Sequence, residues 1–223
     1  MSIDHLKKRI LLFGGSFDPI HWGHLKTVQC VQETFHFDQV IFIPCKLSPL
    51  KDQTYASAQD RLNMLQLGIK ELNNSVDYII DDFELQRPAP SYTINTLIHY
   101  RQTYNSTTSI TFLLGLDSYL QLPQWHNWLE LFEYANLLVI NRPKVVLNQE
   151  LQLPAELLTT DMIHNGQLYF QHTHGEIHWF DAGNYNISAS EIRQAITQGT
   201  IDQITTLPPS IKNYIFHPHK YKL

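Results

Sequence analysis

The sequence predicts an α/β fold: a doubly wound, mostly parallel sheet with helices on both faces. Three observations carry that prediction. Short apolar runs alternate with helix-period segments through most of the chain. The runs are continuous and β-branched rather than alternating, as in strands covered on both faces. Segments rich in glycine, hydroxyls and basic residues follow the ends of these runs, so they can meet at one edge of the sheet, where open parallel sheets place their ligands.

Arg9-Ile10-Leu11-Leu12-Phe13 is the first strand. It runs into Gly14-Gly15-Ser16-Phe17-Asp18-Pro19-Ile20-His21-Trp22-Gly23-His24 and then into the helix-period segment Leu25–Gln32. Paired glycines let backbone N–H groups approach a ligand, and a helix N-terminus adds unsatisfied N–H groups with positive dipole density, which together suit phosphate. His21 and His24 stand at i and i+3, so two imidazoles can face one anion from the first turn. The glycine spacing fits neither common phosphate-loop motif.

Gln39–Pro44 is a second buried strand, ending in Cys45-Lys46-Leu47-Ser48-Pro49-Leu50-Lys51. Lys46 and Lys51 are the cations of that loop. Ser57-Ala58-Gln59-Asp60 opens a packing helix that places Leu62, Leu65, Leu67 and Ile69 inward as far as about Leu72. Val76–Asp82 is the third strand. The prolines at 88 and 90 then impose a stiff loop before Ser91-Tyr92-Thr93 begins the next helix with hydroxyls at its positive end. Ile110–Leu114, the most apolar run, belongs near the sheet centre, and Gly115-Leu116-Asp117 follows at its ligand-facing end. In Leu122–Trp128, Trp125 can stack on a planar ring, while Trp128 is expected to pack with Leu129 and Phe132. Asn136–Pro143 closes a fifth strand, and Pro154–Leu158 suits one short helix.

His172, His174 and His178 cluster around Gly175; a hairpin turning at His174-Gly175 would put His172 and His178 on neighbouring strands, yet no cysteine or carboxylate completes a tetrahedral metal site. Ser188 and Glu191 have capping-box spacing in Ile187-Ser188-Ala189-Ser190-Glu191-Ile192-Arg193, and Arg193 on the first turn offers a fixed guanidinium to phosphate. A terminal helix opens at Leu207-Pro208-Pro209-Ser210 and ends near Phe216.

The 223 residues, 43% hydrophobic and 17% charged, suit one folding unit over 1–223 with a small C-terminal helical portion at about 188–217. No apolar run is long enough to span a bilayer, and Met1–Lys8 lacks the apolar stretch of a secretory signal, so a cytoplasmic protein without membrane partners is expected. The two cysteines, Cys30 and Cys45, have no metal-ligand spacing. A net charge of -5 argues against a broad nucleic-acid surface. Homo-oligomerisation is left open. No residue set looks like an activated nucleophile, which excludes the common covalent hydrolase designs.

GGSFDPIHWGH resembles the GG(T/S)FDPxHxGH signature of the nucleotidyltransferase superfamily, and the chain is similar to its bacterial nicotinate mononucleotide adenylyltransferase family over nearly its whole length. The resemblance implies a Rossmann-like nucleotidyltransferase fold and transfer of AMP from ATP to nicotinate mononucleotide, giving deamido-NAD and pyrophosphate in NAD biosynthesis. It implies catalytic roles for His21, His24 and Arg193. ATP would be held by Gly14, Gly15, Ser16, Phe17, His21, His24, Gly115, Asp117, Ile187, Ser188, Ser190 and Arg193. The mononucleotide would meet Ser16, Lys46, Lys51, Tyr92, Thr93 and Trp125. Mg²⁺ would come with the substrate phosphates, with no direct protein ligand set. Departures are visible: Leu50 replaces the histidine of a PPHK-like element, Ala189 replaces one serine of ISSTxIR, and Ser190 replaces its threonine while keeping the hydroxyl. Rival acceptors on the same fold are nicotinamide mononucleotide and phosphopantetheine. A nucleotide-binding regulatory module without turnover is a rival from another class.

Overall fold

The computed structural model describes residues 8–50, 53–72, 76–140, 161–163, 170, 172–183, 185 and 187–216. Lys51 and the short helix expected at Pro154–Leu158 lie outside the described residues. The sheet has seven strands: β1 (Lys8–Gly15), β2 (Gln39–Pro44), β3 (Asp77–Ile80), β4 (Thr108–Gly115), β5 (Asn136–Ile140), β6 (Asp161–Ile163) and β7 (Ile177–Phe180). Their order is β3-β2-β1-β4-β5-β7-β6, and every neighbouring pair is parallel. From β1 the chain winds outward to β3, then restarts at β4 on the other side. The strand ends therefore part at the β1/β4 boundary, the switch point at which this class of sheet opens a crevice.

Helices α1 (Trp22–Phe35), α2 (Ala58–Ile69), α3 (Thr93–Thr103), α4 (Leu116–Leu120), α5 (Ala189–Thr197) and α6 (Pro209–Phe216) cover the sheet. The period-2 pleat of β1 shows how the layers divide. Leu11 joins a core with Leu25, Val28 and Val31 of α1, Met64 and Leu65 of α2, Ile192 of α5 and Ile211 of α6. Ile10 and Leu12 face the other way, into a core with Ile94 and Leu97 of α3 and with Leu116 and Tyr119 of α4. The C-terminal helices thus share the packing layer of the first helix.

Four sequence expectations are corrected. β6 and β7 were not foreseen, because β6 has only three residues and His178 interrupts the apolar run of β7. The histidine hairpin does not form: His172–Gly175 is a bend, and His178 lies on β7, parallel to β5 and β6. Leu129 is 52% exposed whereas Leu131 is fully buried, since residues 128–133 form a 3-10 helix whose three-residue period moves the inward face. In α2 the inward residues are Arg61, Met64, Leu65 and Gly68, so an arginine takes an expected apolar place.

Candidate active site

The signature loop leaves β1 and enters α1 with His21 as the residue before the first turn. His21 is buried, and its ring stacks on that of His24 with centroids 3.8 Å apart and planes 25° apart. The His21 N–H donates to His24 Nδ1 at 3.3 Å. An accepting Nδ1 leaves the proton of a neutral His24 on Nε2, as a donor. Gly23 makes the stack possible: a Cβ there would come within 2.9 Å of the His21 ring. The glycine inside HWGH is therefore a steric requirement of its histidines. Phe17 is fully buried against Phe13, Phe42 and His24, with φ of +47°. Its side chain belongs to the core, and only its backbone is left for a ligand.

Asp18 ties this loop to two other segments. Its carboxylate accepts from Tyr55 N at 2.6 Å and Ala56 N at 3.0 Å, just before α2. Its carbonyl accepts from Arg193 Nη1 at 2.7 Å. Arg193 Nη2 donates to Ser190 Oγ at 2.9 Å, and the guanidinium lies 4.4 Å from the Tyr55 ring centroid. Arg193 is thus brought to the signature loop in a fixed orientation. Ser188 caps α5, its hydroxyl accepting from Ser190 N at 3.2 Å, so the cap engages residue 190 and not the expected Glu191. Ile187 packs beside Gly23, within 3.3 Å of the position its Cβ would take. The chain closes over α1 elsewhere too: Trp22 N donates to Thr206 O at 2.9 Å.

Next to this loop is a cavity of about 410 Å³. Gly14, Gly15 and Ser16 form one wall, Tyr92 and Thr93 another, and Trp125 and Phe112 lie edge to face on a third. Tyr92 is the N-cap of α3 but no side chain caps the helix, so its first N–H groups are left for a ligand. Ser91, the hydroxyl just before it, has a different task. Its Oγ accepts from Lys46 N at 3.0 Å, and its N–H donates to Leu47 O at 2.8 Å, which fastens the loop after β2 to the start of α3. Glu84 lines the same cavity and accepts from Thr96 Oγ1 at 2.6 Å. Burial raises its carboxyl pKa, against hydrogen bonds from Thr96 and Ser91 that lower it. Trp125 Nε1 is buried with no partner among the described residues.

The structure therefore brings together most of the residues singled out from sequence. Gly115 and Asp117 lie at the carboxyl end of β4, one strand over from Gly14 and Gly15, outside the cavity wall. Lys46 contributes its backbone to the loop, while its exposed side chain is not part of that wall. Asp18, Arg61 and Glu84 were missed. Asp18 stands inside the signature itself, which could have signalled it; Arg61 and Glu84 have no sequence pattern that separates them from solvated charge. Among the described residues no group of three histidines, cysteines or carboxylates could hold a metal, and no helix is long and apolar enough to cross a membrane.

Residues 12–195 match the cytidylyltransferase-like family. A probable nicotinate-nucleotide adenylyltransferase of Legionella pneumophila (strain Paris) is 37% identical over 213 residues, covering 96% of this chain and 99% of its own. One of Sodalis glossinidius is 37% identical over 204 residues, covering 91% and 92%. In fold, the chain is similar to the nicotinic acid mononucleotide adenylyltransferase of Plasmodium falciparum solved with NaAD, with a TM-score of 0.69 at 18% identity over 93% of this chain and 94% of that one. With the histidine pair, the held arginine and the crevice at the switch point already in place, these likenesses show that the chain belongs to the cytidylyltransferase-like family, among the nicotinate-nucleotide adenylyltransferases.

Proposed function

We propose that the crevice joins ATP to nicotinate mononucleotide, releasing pyrophosphate and forming deamido-NAD. One observation carries the choice of acceptor: the uncapped N-terminus of α3 opens at Tyr92 and Thr93 into the cavity that Trp125 lines. A pyridine ring stacked on Trp125 would turn its carboxylate toward N–H donors at a positive helix end. An amide would need an acceptor there. Glu84 is the one carboxyl among the described lining residues, and its bonds from Thr96 and Ser91 fix its orientation.

The chemistry needs no protein nucleophile. The mononucleotide phosphate is anionic near neutral pH, so its oxygen attacks the α-phosphorus of ATP while the bond to pyrophosphate breaks. What the protein supplies is alignment against the repulsion of two anions and stabilisation of charge on the leaving oxygens. Gly14, Gly15 and Ser16 offer backbone N–H groups, and His24 offers Nε2–H. Arg193 supplies a guanidinium already held by Asp18 and Ser190. The donor set suits a divalent ion carried on the phosphates, because among the described residues no group of three histidines, cysteines or carboxylates forms a protein cage. Such an ion, Mg²⁺ in this reading, neutralises phosphate charge when bound. We place the reaction in the cytoplasm, where both substrates would be drawn from solution.

Pyrophosphate release tests the reading, with ATP held constant and nicotinate mononucleotide, nicotinamide mononucleotide or phosphopantetheine as acceptor. Release with the first and little with the others is expected. Release with none would support a binding module in place of an enzyme.

A further inference from the structure

Arg61, on α2, is 1% exposed and heads the fully buried side chains by size. An arginine on a helix normally keeps its charged head in water, so a buried one must be held by specific acceptors. Its Nη1 donates to Ser16 O at 2.9 Å and to Cys45 O at 2.6 Å. These carbonyls lie one residue past the ends of β1 and β2. The ladder between those strands runs one rung further, with Cys45 N donating to Gly15 O at 2.9 Å. Beyond it two acceptors share one space, and acceptors cannot bond one another. A rigid donor between them completes the ladder.

We infer that Arg61 is a positioning residue, which fixes the separation between the ATP-side loop after β1 and the mononucleotide-side loop after β2. The inference rests on the adenylyl-transfer reading. Arg61 is too buried to touch either substrate and acts through the two carbonyls. Its own base is anchored to the loop it braces, since Asp18 holds Tyr55 N and Ala56 N at the entrance to α2. The carbonyl of the same Asp18 holds Arg193. Arg61 thus ties the two loops to each other, and Asp18 links that pair to the start of α2 and to Arg193. Each loop meets its substrate through local groups, so loss of the brace leaves binding nearly intact. What it disturbs is the in-line approach of one phosphate to the other, where a misplacement of about 1 Å can cost about 10²-fold.

The test uses the full chain and two variants, with kcat and both KM values measured well below each variant's melting temperature. Arg61→Met should lower kcat by about 100-fold with each KM within about threefold of wild type. Arg61→Lys keeps the charge but not the rigid two-way reach, and should lower kcat by about tenfold; it decides the matter if the methionine variant does not fold. A folded variant of either kind with kcat within about threefold of wild type would overturn the inference. So would KM values that rise as far as kcat falls, which indicate a deformed pocket. Absence of pyrophosphate release in the wild type would instead overturn the adenylyl-transfer reading, and the positioning role would fall with it.

Discussion

The two edges of the sheet use similar side chains to opposite ends. At the amino edge, Arg101 donates to the carbonyls of Thr108, Tyr134 and Thr173 at 2.7–3.1 Å. Asn136 donates to Ser109 Oγ and His172 O, and accepts from Glu176 N. These groups spend their hydrogen bonds on each other. At the carboxyl edge, α3 is uncapped and Trp125 Nε1 is buried without a partner among the described residues. Charged groups there are held by backbone carbonyls, as Arg61 and Arg193 are. The same strands thus end beside side chains, Arg101 and Asn136, whose polar groups are met on one side, and beside an uncapped helix start and an unmet indole N–H on the other. Closure serves the fold; donors left open serve a ligand at some cost to stability.

If that contrast holds, damage at the carboxyl edge should cost activity without stability. The largest effect is expected at the histidine pair: His24→Ala should lower kcat by about 10²- to 10³-fold with folding intact. A folded variant of nearly full activity would remove the phosphate role from the signature. Selectivity comes next. Nicotinate mononucleotide should exceed nicotinamide mononucleotide in kcat/KM by at least ~100-fold, because the amide sets donor against donor and loses the charge–dipole attraction. Equal values under matched ATP and Mg²⁺ would mean that Tyr92 and Thr93 do not read the carboxylate. Trp125→Ala should raise KM for the mononucleotide by about one to two orders of magnitude and leave that for ATP nearly unchanged. A rise in both would reassign Trp125 to packing.

The smallest catalytic effect belongs to the amino edge, where Glu176 sharpens the comparison. Burial would raise its carboxyl pKa, but hydrogen bonds from His178 and His172 outweigh burial and leave it below the ordinary 4.5. A depressed folded pKa gives stability that is present above the unfolded value and lost as pH falls through the folded one. Denaturation midpoints between pH 6 and pH 3, on the order of the range that brackets these values, should therefore fall less steeply for Glu176→Gln than for wild type. At pH near 7 the two should share the same kcat/KM. A catalytic loss in this variant would break the division of labour between the edges.

What could be read from the chain divides along physical lines. β1, β2, β4 and β5 were legible because strands covered on both faces need unbroken apolar runs, and Ile10–Leu12 or Leu137–Ile140 supply them. β7 was not, since His178 interrupts a four-residue element whose partners are far away in sequence. The histidine pair was legible because its spacing is local. The task of Ser91 was not legible: the pattern before a helix is the same whether a hydroxyl turns to its own backbone or, as here, to Lys46 N. Arg61 was invisible for a stronger reason. Its partners are two carbonyls, and every residue has one, so no residue type marks the place where a buried guanidinium is wanted.

The hydrogen bonds from Trp22 N to Thr206 O and from Arg193 to Asp18 O have a consequence for the order in which the molecule is built. The signature loop leaves the ribosome well before the groups that close over it, which stand some way further along the chain. A nascent chain that has reached residue 140 already has the strands of the central sheet, β1, β2, β4 and β5, and can begin to pair them. It still lacks Arg193, which holds Asp18 O, and the carbonyl of Thr206 that seats the first turn of α1. The signature loop is thus made before its braces, and its full set of contacts arrives in one late step with α5 and the segment that follows it.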